Sequence, residues 1–178
     1  MANVDYEVRA GGIFILATGA ITNGAILKVD YTYDLNYATV RYDLGGTYIL
    51  KYKEGLYAGG PVIDKIGQNG LPQMRFSSGV GVNVPQWWNM DTYLSANYID
   101  SQSQDYIADT GEEVGHIASQ TTWNLNVGVD APWNGKIQVG VKNMFNAGPS
   151  LESDGFTYDE ELYSIDGRIY YLDYAQKF

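Results

Sequence analysis

The 178-residue sequence contains no cysteine, which excludes disulfide bonds, thiolate metal sites and a thiol nucleophile. A single histidine excludes every metal or catalytic motif that needs two of them. Charged residues make up only 18% of the chain, against roughly 25% in soluble domains. Of these, 11 are basic and 21 are acidic, which gives a net charge of −10. Such a surplus of acid argues against a nucleic-acid partner, because binding phosphates requires a basic surface.

The sequence also lacks an apolar run long enough to cross a membrane as a helix. The longest run lies near residues 11–17, and the residues before it lack the basic region of a signal peptide. We therefore expect either that a signal has been removed or that the chain is a piece of a longer protein. Glycine (21 residues) and tyrosine (16 residues) are abundant, which indicates strands rather than helices.

Alternation of apolar and polar residues with a period of two is the dominant pattern. In residues 27–36, every odd position is leucine, valine or tyrosine, and every even position is polar. Similar segments recur along the chain and predict about eight strands, of which residues 13–18 are the least regular. The predicted strands are 13–18, 27–35, 41–52, 74–84, 93–98, 122–130, 136–142 and 170–178.

The connections between these segments alternate between short and long. The short ones lie near residues 37–40, 85–88 and 131–135, and the long ones are 54–72, 101–118 and 147–167. This alternation is typical of an up-and-down antiparallel sheet whose two ends face different environments. Tryptophan is frequent in the short turns, and this residue favours a membrane–water boundary.

The polar positions of the strands carry asparagine, threonine, serine and glycine rather than the lysine and glutamate that crowd a water-facing surface. Strands of about ten residues also match a tilted crossing of a bilayer. We therefore predict an all-β fold, an up-and-down antiparallel transmembrane β-barrel of about eight strands, as one segment over residues 1–178. Its apolar face would contact outer-membrane lipid. The alternative from another class is a soluble β-barrel carrier with an apolar interior.

The C-terminal third carries a series of short motifs in a fixed order. Residues 123–129 are followed by a tight turn, by residues 137–146 ending in Asn143-Met144-Phe145-Asn146, and by Pro149. Gly167-Arg168-Ile169-Tyr170 and the terminal Phe178 close the series, and residues 47–52 and 71–76 add two upstream strand motifs. Over about residues 24–178 this series resembles the last strands of TonB-dependent outer-membrane receptors.

The resemblance implies active uptake of a scarce, bulky nutrient, such as a siderophore, a cofactor or an oligosaccharide. The chemistry would be binding and gating without a covalent step, so we expect neither an enzyme nor a bound cofactor. It also implies a place in the bacterial outer membrane and contact with the barrel-assembly machinery. The energising inner-membrane complex would be reached only through a plug domain, for which this chain has no segment.

Members of that family have about 22 strands. We therefore expect either part of a larger barrel or a small closed barrel. The alternative function is a self-contained small barrel that anchors or binds at the outer membrane. In the resembled receptors the terminal strand serves as the assembly signal. The matching positions here are Tyr170, Leu172, Tyr174 and Phe178, and Gln176 interrupts their apolar series.

Candidate ligand-binding residues lie in the long connections. Aromatic rings there could stack on a ligand, or equally pack the loops against one another. His116 is a further candidate contact, but no nucleophile motif accompanies it, so a catalytic role is not predicted. The candidates are Tyr57, Tyr106, His116, Phe156, Tyr158 and Tyr163.

Charged residues offer two further interpretations. Acidic groups cluster in residues 105–113 and 152–161, where we expect solvated loops rather than a calcium site, because the EF-hand pattern is missing. The basic residues of the polar face could guide an anionic ligand or contact a plug. They could equally pair across strands with Asp30, Asp43 and Asp130. These basic residues are Lys28, Arg41, Lys51, Arg75, Lys136 and Lys142.

Overall fold

The computed structural model describes residues 6–9, 12–15, 26–35, 37–55, 60, 62–68, 70–106, 113–152 and 157–177. These ranges contain strands, turns and no helix, and so no helix that is long and apolar enough to cross a membrane. The predicted all-β class is confirmed. The strands are β1 (Tyr6–Arg9), β2 (Gly12–Ile15), β3 (Ile26–Asp34), β4 (Thr39–Tyr48), β5 (Lys53–Gly55), β6 (Val62–Asp64), β7 (Met74–Val84), β8 (Met90–Ile99), β9 (Gln102–Tyr106), β10 (Glu113–Ile117), β11 (Gln120–Ala131), β12 (Gly135–Lys142) and β13 (Ile169–Gln176).

Seven of these strands form one antiparallel sheet in the order β13-β12-β11-β8-β7-β4-β3. Neighbours in the sheet follow one another along the chain, apart from the short ribbons β5–β6 and β9–β10. The predicted antiparallel arrangement is therefore confirmed. Alternation is a reliable signal here because each of these strands presents a polar and an apolar side to different surroundings.

The sheet is open in the described part of the chain. The predicted strand over residues 13–18 is found only as β2, which pairs with β1 in a separate hairpin, and residues 16–18 lie outside the description. With seven alternating strands, β3 and β13 run in the same direction. Because antiparallel closure requires an even number of strands, these two edges cannot close on each other in an antiparallel manner.

Two of the long connections contain ribbons that the sequence pattern did not predict. β5 pairs with β6 over three residues each, and β9 pairs with β10 over five residues each. These strands are too short and too polar for a clear period of two to emerge. The β5–β6 ribbon connects β4 to β7, and the β9–β10 ribbon connects β8 to β11, so each extends a pair of neighbouring strands beyond the large sheet.

The register sorts the strand residues onto two faces. In one row across the sheet, Tyr42, Val80, Leu94, Leu125, Val141 and Tyr170 occupy adjacent positions on neighbouring strands. The adjacent row of the other face contains Arg41, Gly81, Tyr93, Asn126, Gly140 and Tyr171. We call these sides the apolar face and the polar face.

The apolar face is not covered by protein in the described part of the chain. Val139 is 46% exposed and Leu172 is 69% exposed, although both belong to this face. The buried apolar side chains among the described residues lie at turns, strand ends and loops instead. They are Ala38, Ile117, Ala131 and Tyr163. The described sheet therefore has no hydrophobic core at its centre.

Exposed aromatic residues concentrate at the two ends of the apolar face. The short-turn aromatic group lies in the tight turns and consists of Tyr37, Trp87, Trp88 and Trp133. The long-loop aromatic group lies at the opposite ends of the strands and consists of Tyr48, Phe76, Trp123, Phe145 and Tyr170. Trp123 and Phe145 make an edge-to-face contact with ring centroids 6.4 Å apart.

Gln176, which interrupts the apolar series of the last strand, has a structural role. Its Nε2 donates to the backbone oxygen of Trp133 at 2.8 Å, and its side-chain oxygen accepts from the Tyr174 hydroxyl. Trp133 Nε1 donates in turn to the Tyr174 hydroxyl at 3.1 Å. Gly135 lies beneath this group, and a Cβ there would approach Trp133 Nε1 to 2.7 Å. Gln176 thus ties β13 to the turn between β11 and β12, whereas Phe178 lies outside the described residues.

Candidate functional site

A cavity of about 1000 Å³ lies against the polar face. Its floor is formed mainly by polar-face residues from β4 to β12, and its other side by residues that follow β12. We call residues 143–168 the strap, of which 153–156 lie outside the description. The strap contributes Asn143, Ala147, Leu162, Ser164, Asp166 and Gly167 to the lining.

Asn143 fixes the base of the strap. Its Nδ2 donates to the backbone oxygen of Ala147 at 2.8 Å and lies 3.3 Å from that of Asp166. Its Oδ1 accepts from the Ala147 N–H at 2.8 Å, so the side chain holds both ends of the strap together. Only 8% of Asn143 is exposed, and its φ of 48° is a left-handed conformation that asparagine tolerates better than most residues.

Asn146 makes a second contact between the two ends of the strap. Its Oδ1 accepts from the Arg168 N–H at 2.9 Å, and a Cβ on Gly167 would lie 2.6 Å from the same atom. The Asn143-Met144-Phe145-Asn146 motif therefore has a clear structural role in this chain. It closes a long loop at its base, which the sequence pattern alone did not indicate.

The strap also contacts the start of β11, close to its base at Gly148, and the ribbon β9–β10, at Tyr163. Gln120 Nε2 donates to the backbone oxygen of Gly148 at 2.6 Å, and Gln102 Nε2 donates to the Tyr163 hydroxyl at 3.1 Å. Gln102 is 1% exposed and Tyr163 is 3% exposed. Within the described residues, the Gln102 side-chain oxygen is buried without a hydrogen-bond partner. An unsatisfied buried carbonyl costs about 1–3 kcal/mol, so this docking contact is weaker than its burial suggests.

Burial raises the pKa of the Tyr163 hydroxyl above its usual value, and the charge of Asp159 adds to the effect. Hydrogen bonds with Gln102 and Ser150 and the charge of Arg75 oppose it. A raised pKa means that the docked strap favours the protonated phenol. The contribution of Tyr163 to docking is therefore complete below pH about 10 and is lost as the pH rises through the pKa of the folded state.

We accordingly expect strongly alkaline solution to release the strap. A spin label on Ser164→Cys, in a chain without other cysteines, should become more mobile as the pH is raised from 9 to 12. The same label in a Tyr163→Phe background serves as the control, because phenylalanine cannot ionise. An identical mobility change in both proteins would show that another group controls the strap.

The basic side chains of the cavity differ in their partners. Arg41 forms an ion pair with Asp91 at 3.4 Å and lies 5.2 Å from the ring centre of Tyr93. The Lys142 ammonium lies 5.9 Å from the ring centre of Tyr171. Among the described side chains, no ion pair joins a basic residue of the polar face to Asp43 or Asp130, and Arg41 instead reaches across β7 to Asp91 on β8. The side chains of Lys28 and Asp30 lie outside the described part of the chain. Asp130 instead accepts from Asn89 Nδ2 at 2.7 Å.

The predicted ligand-binding residues whose side chains the structure describes do not line this cavity. Tyr57 and Phe156 lie outside the described residues, as does the side chain of Tyr106, which ends β9 opposite Glu113. His116 is exposed on β10, and Tyr158 is half-buried in the strap. Tyr163 packs the strap against Gln102, which is the loop-packing role that the sequence left open for these aromatics. His116, Tyr158 and Tyr163 are not among the residues that line the cavity.

The sequence pattern did not single out Gln102, Gln120 or Asn143 as positioning residues. No periodic signal marks them, because each acts on a segment that is distant in sequence or irregular in structure. In the ranges that the structure describes, no group of three or more histidine and acidic side chains is arranged to hold a metal ion.

Comparison with protein families, curated proteins and solved structures found no match to this chain. The resemblance to TonB-dependent receptors therefore stays a prediction from the motifs.

Proposed function

We propose that the chain forms part of the wall of an outer-membrane β-barrel receptor that takes up a bulky nutrient by binding and gating. One observation carries the proposal. The apolar face of the sheet is exposed, while the polar face borders the large cavity. In a soluble sheet the apolar face packs on a core, whereas in a transmembrane barrel it faces lipid and the polar face lines the lumen.

The energetics support lipid contact. Exposed apolar area costs roughly 25 cal/mol per Å² in water, and the face carries many half-exposed leucine, valine and tyrosine side chains. Lipid removes this cost. β7 contains 11 residues, so at about 3.4 Å per residue and a tilt near 40° it rises about 28 Å. A bilayer hydrocarbon core is about 30 Å thick.

The two aromatic groups support the same orientation, because tryptophan and tyrosine favour both membrane–water boundaries. An open edge is costly in hydrocarbon, so the edges β3 and β13 would be completed by further strands, odd in number if the barrel is antiparallel throughout. In this proposal Tyr170, Leu172 and Tyr174 on β13 contact the barrel-assembly machinery. A plug domain elsewhere would connect the barrel to the energising complex.

Single cysteines test which face contacts lipid. The chain is refolded into phospholipid vesicles with one cysteine at Val139 or at its neighbour Gln138, which lie on opposite faces of β12. A spin label at Val139→Cys should be relaxed strongly by oxygen, which concentrates in lipid, and weakly by a water-soluble nickel complex. The label at Gln138→Cys should show the reverse.

A second pair, Leu172→Cys and Asp173→Cys on β13, checks that the alternation continues to the edge of the sheet. Equal access of the nickel complex to both members of each pair would contradict the proposal. Together with folding in the absence of detergent, that result would favour the soluble carrier instead.

A further inference from the structure

We propose that the cavity beneath the strap binds an elongated anion that carries hydroxyl groups between two acidic groups, which is the chemistry of an acidic oligosaccharide. The inference deepens the proposed function, on which it rests, by assigning a ligand class to the lumen-facing cavity.

The lining of the cavity is richer in basic residues than the rest of this acidic protein. Its lining contains three of the 11 basic residues (Arg41, Arg75 and Lys142) and two of the 21 acidic residues (Asp43 and Asp166). The formal charge of the lining is therefore 3 − 2 = +1, or 3 − 3 = 0 when Asp91, the partner of Arg41, is included, within a chain of net charge −10. Basic groups on the wall of a concave site attract anions, because the low-dielectric walls focus the field.

Two of the three bases remain available to a ligand. Arg41 is engaged by Asp91, but in the described part of the chain Arg75 and Lys142 have no carboxylate partner. Arg75 lies on β7 and Lys142 on β12, three strand spacings apart in the sheet. At about 4.8 Å per spacing, the strands that carry them are about 14 Å apart. The register also offsets them by four residues along the strands, because Arg75 lies in the row of Ile99 and Gln120, whereas Lys142 lies opposite Asn124. A single ligand that contacts both bases must bridge this separation, which favours an elongated molecule over a small inorganic anion.

Uncharged polar groups lie between the two bases. Ser77, Asn97 and Thr122 form one row across β7, β8 and β11, and all three line the cavity. Hydroxyl and amide groups both donate and accept hydrogen bonds, as the hydroxyl groups of a sugar do. The row thus suits a polyhydroxylated centre, while the guanidinium and ammonium groups on either side suit carboxylates through charge-assisted hydrogen bonds.

Isothermal titration of the chain in detergent micelles tests the inference, with tetragalacturonate as the acidic probe and maltotetraose as the neutral one. We expect tetragalacturonate to bind at least tenfold more tightly, with an affinity that falls as salt is raised. Arg75→Gln and Lys142→Gln should each weaken its binding about tenfold. Lys177→Gln removes the same charge outside the cavity lining and should have little effect.

Equal binding of the two probes, no binding of either, or unchanged affinity in both variants would overturn the inference. Tryptophan fluorescence of each variant confirms that it has folded. The spin-label test of lipid contact is independent of this titration. If the probes do not bind but the spin labels report lipid on the apolar face, the proposed ligand class is wrong and the proposed receptor function stands. If the labels report water on the apolar face, the proposed receptor function itself is wrong.

Discussion

With the apolar face against lipid, as proposed, arginine in place of Leu94 should destabilise the sheet by about 2–4 kcal/mol, the cost of a charge on a lipid-facing strand near the bilayer midplane. Leu94 lies in the middle of β8, in the apolar row between Val80 and Leu125. It is 37% exposed in the absence of lipid. If water covered this face instead, the substitution would change stability by no more than about 0.5 kcal/mol.

The neighbouring residue provides the matched control. Ser95 is on the polar face of the same strand, so Ser95→Arg introduces the same charge at an adjacent position but on the side of the proposed lumen. We expect it to change stability much less than Leu94→Arg. Urea titration in vesicles, followed by tryptophan fluorescence, measures both free energies of unfolding. Similar losses in the two variants would indicate that the faces are not distinguished by lipid.

Loss of the Asn143 side chain should release the strap. Asn143→Ala removes the bonds to Ala147 and Asp166, and alanine is also strained at the φ of 48°. At about 1 kcal/mol for each hydrogen bond, we expect a loss of about 2–3 kcal/mol in docking free energy. When opening is rapid relative to cleavage, this corresponds to roughly 30-fold or greater acceleration of chymotrypsin cleavage within the strap.

Two further variants separate the loss of the hydrogen bonds from the backbone strain and from a general effect of removing an asparagine. Asn143→Gly relieves the strain but still lacks the side chain, so most of the acceleration should persist. Asn97→Ala removes an exposed polar-face asparagine and should leave cleavage unchanged. If Asn143→Gly is cleaved as slowly as the original chain, the strap is held by its other contacts, at Gln102 and Gln120.

Residue alternation was enough to predict the strands of the large sheet. In β3, β7, β11 and β12 the polar and apolar residues alternate with little interruption, because the two faces of each strand meet different surroundings. The short turns near residues 85–88 and 131–135 were also predictable, since tryptophan, proline, asparagine and glycine interrupt the pattern there. The one predicted near residues 37–40 begins earlier in the structure, because Thr39 and Val40 already belong to β4. The ribbons β5–β6 and β9–β10 were missed because they are short and polar.

The residues that lie over the polar face could be identified only in the folded structure. The Gln102–Tyr163 hydrogen bond joins residues 61 positions apart, and the Arg41–Asp91 ion pair joins residues 50 positions apart. A period of two assigns a side chain to a face, but it does not identify the residue it meets on another strand or loop. The alternation of Leu27, Val29 and Tyr31 therefore reveals a strand, whereas the cavity depends on a strap that carries no periodic signal.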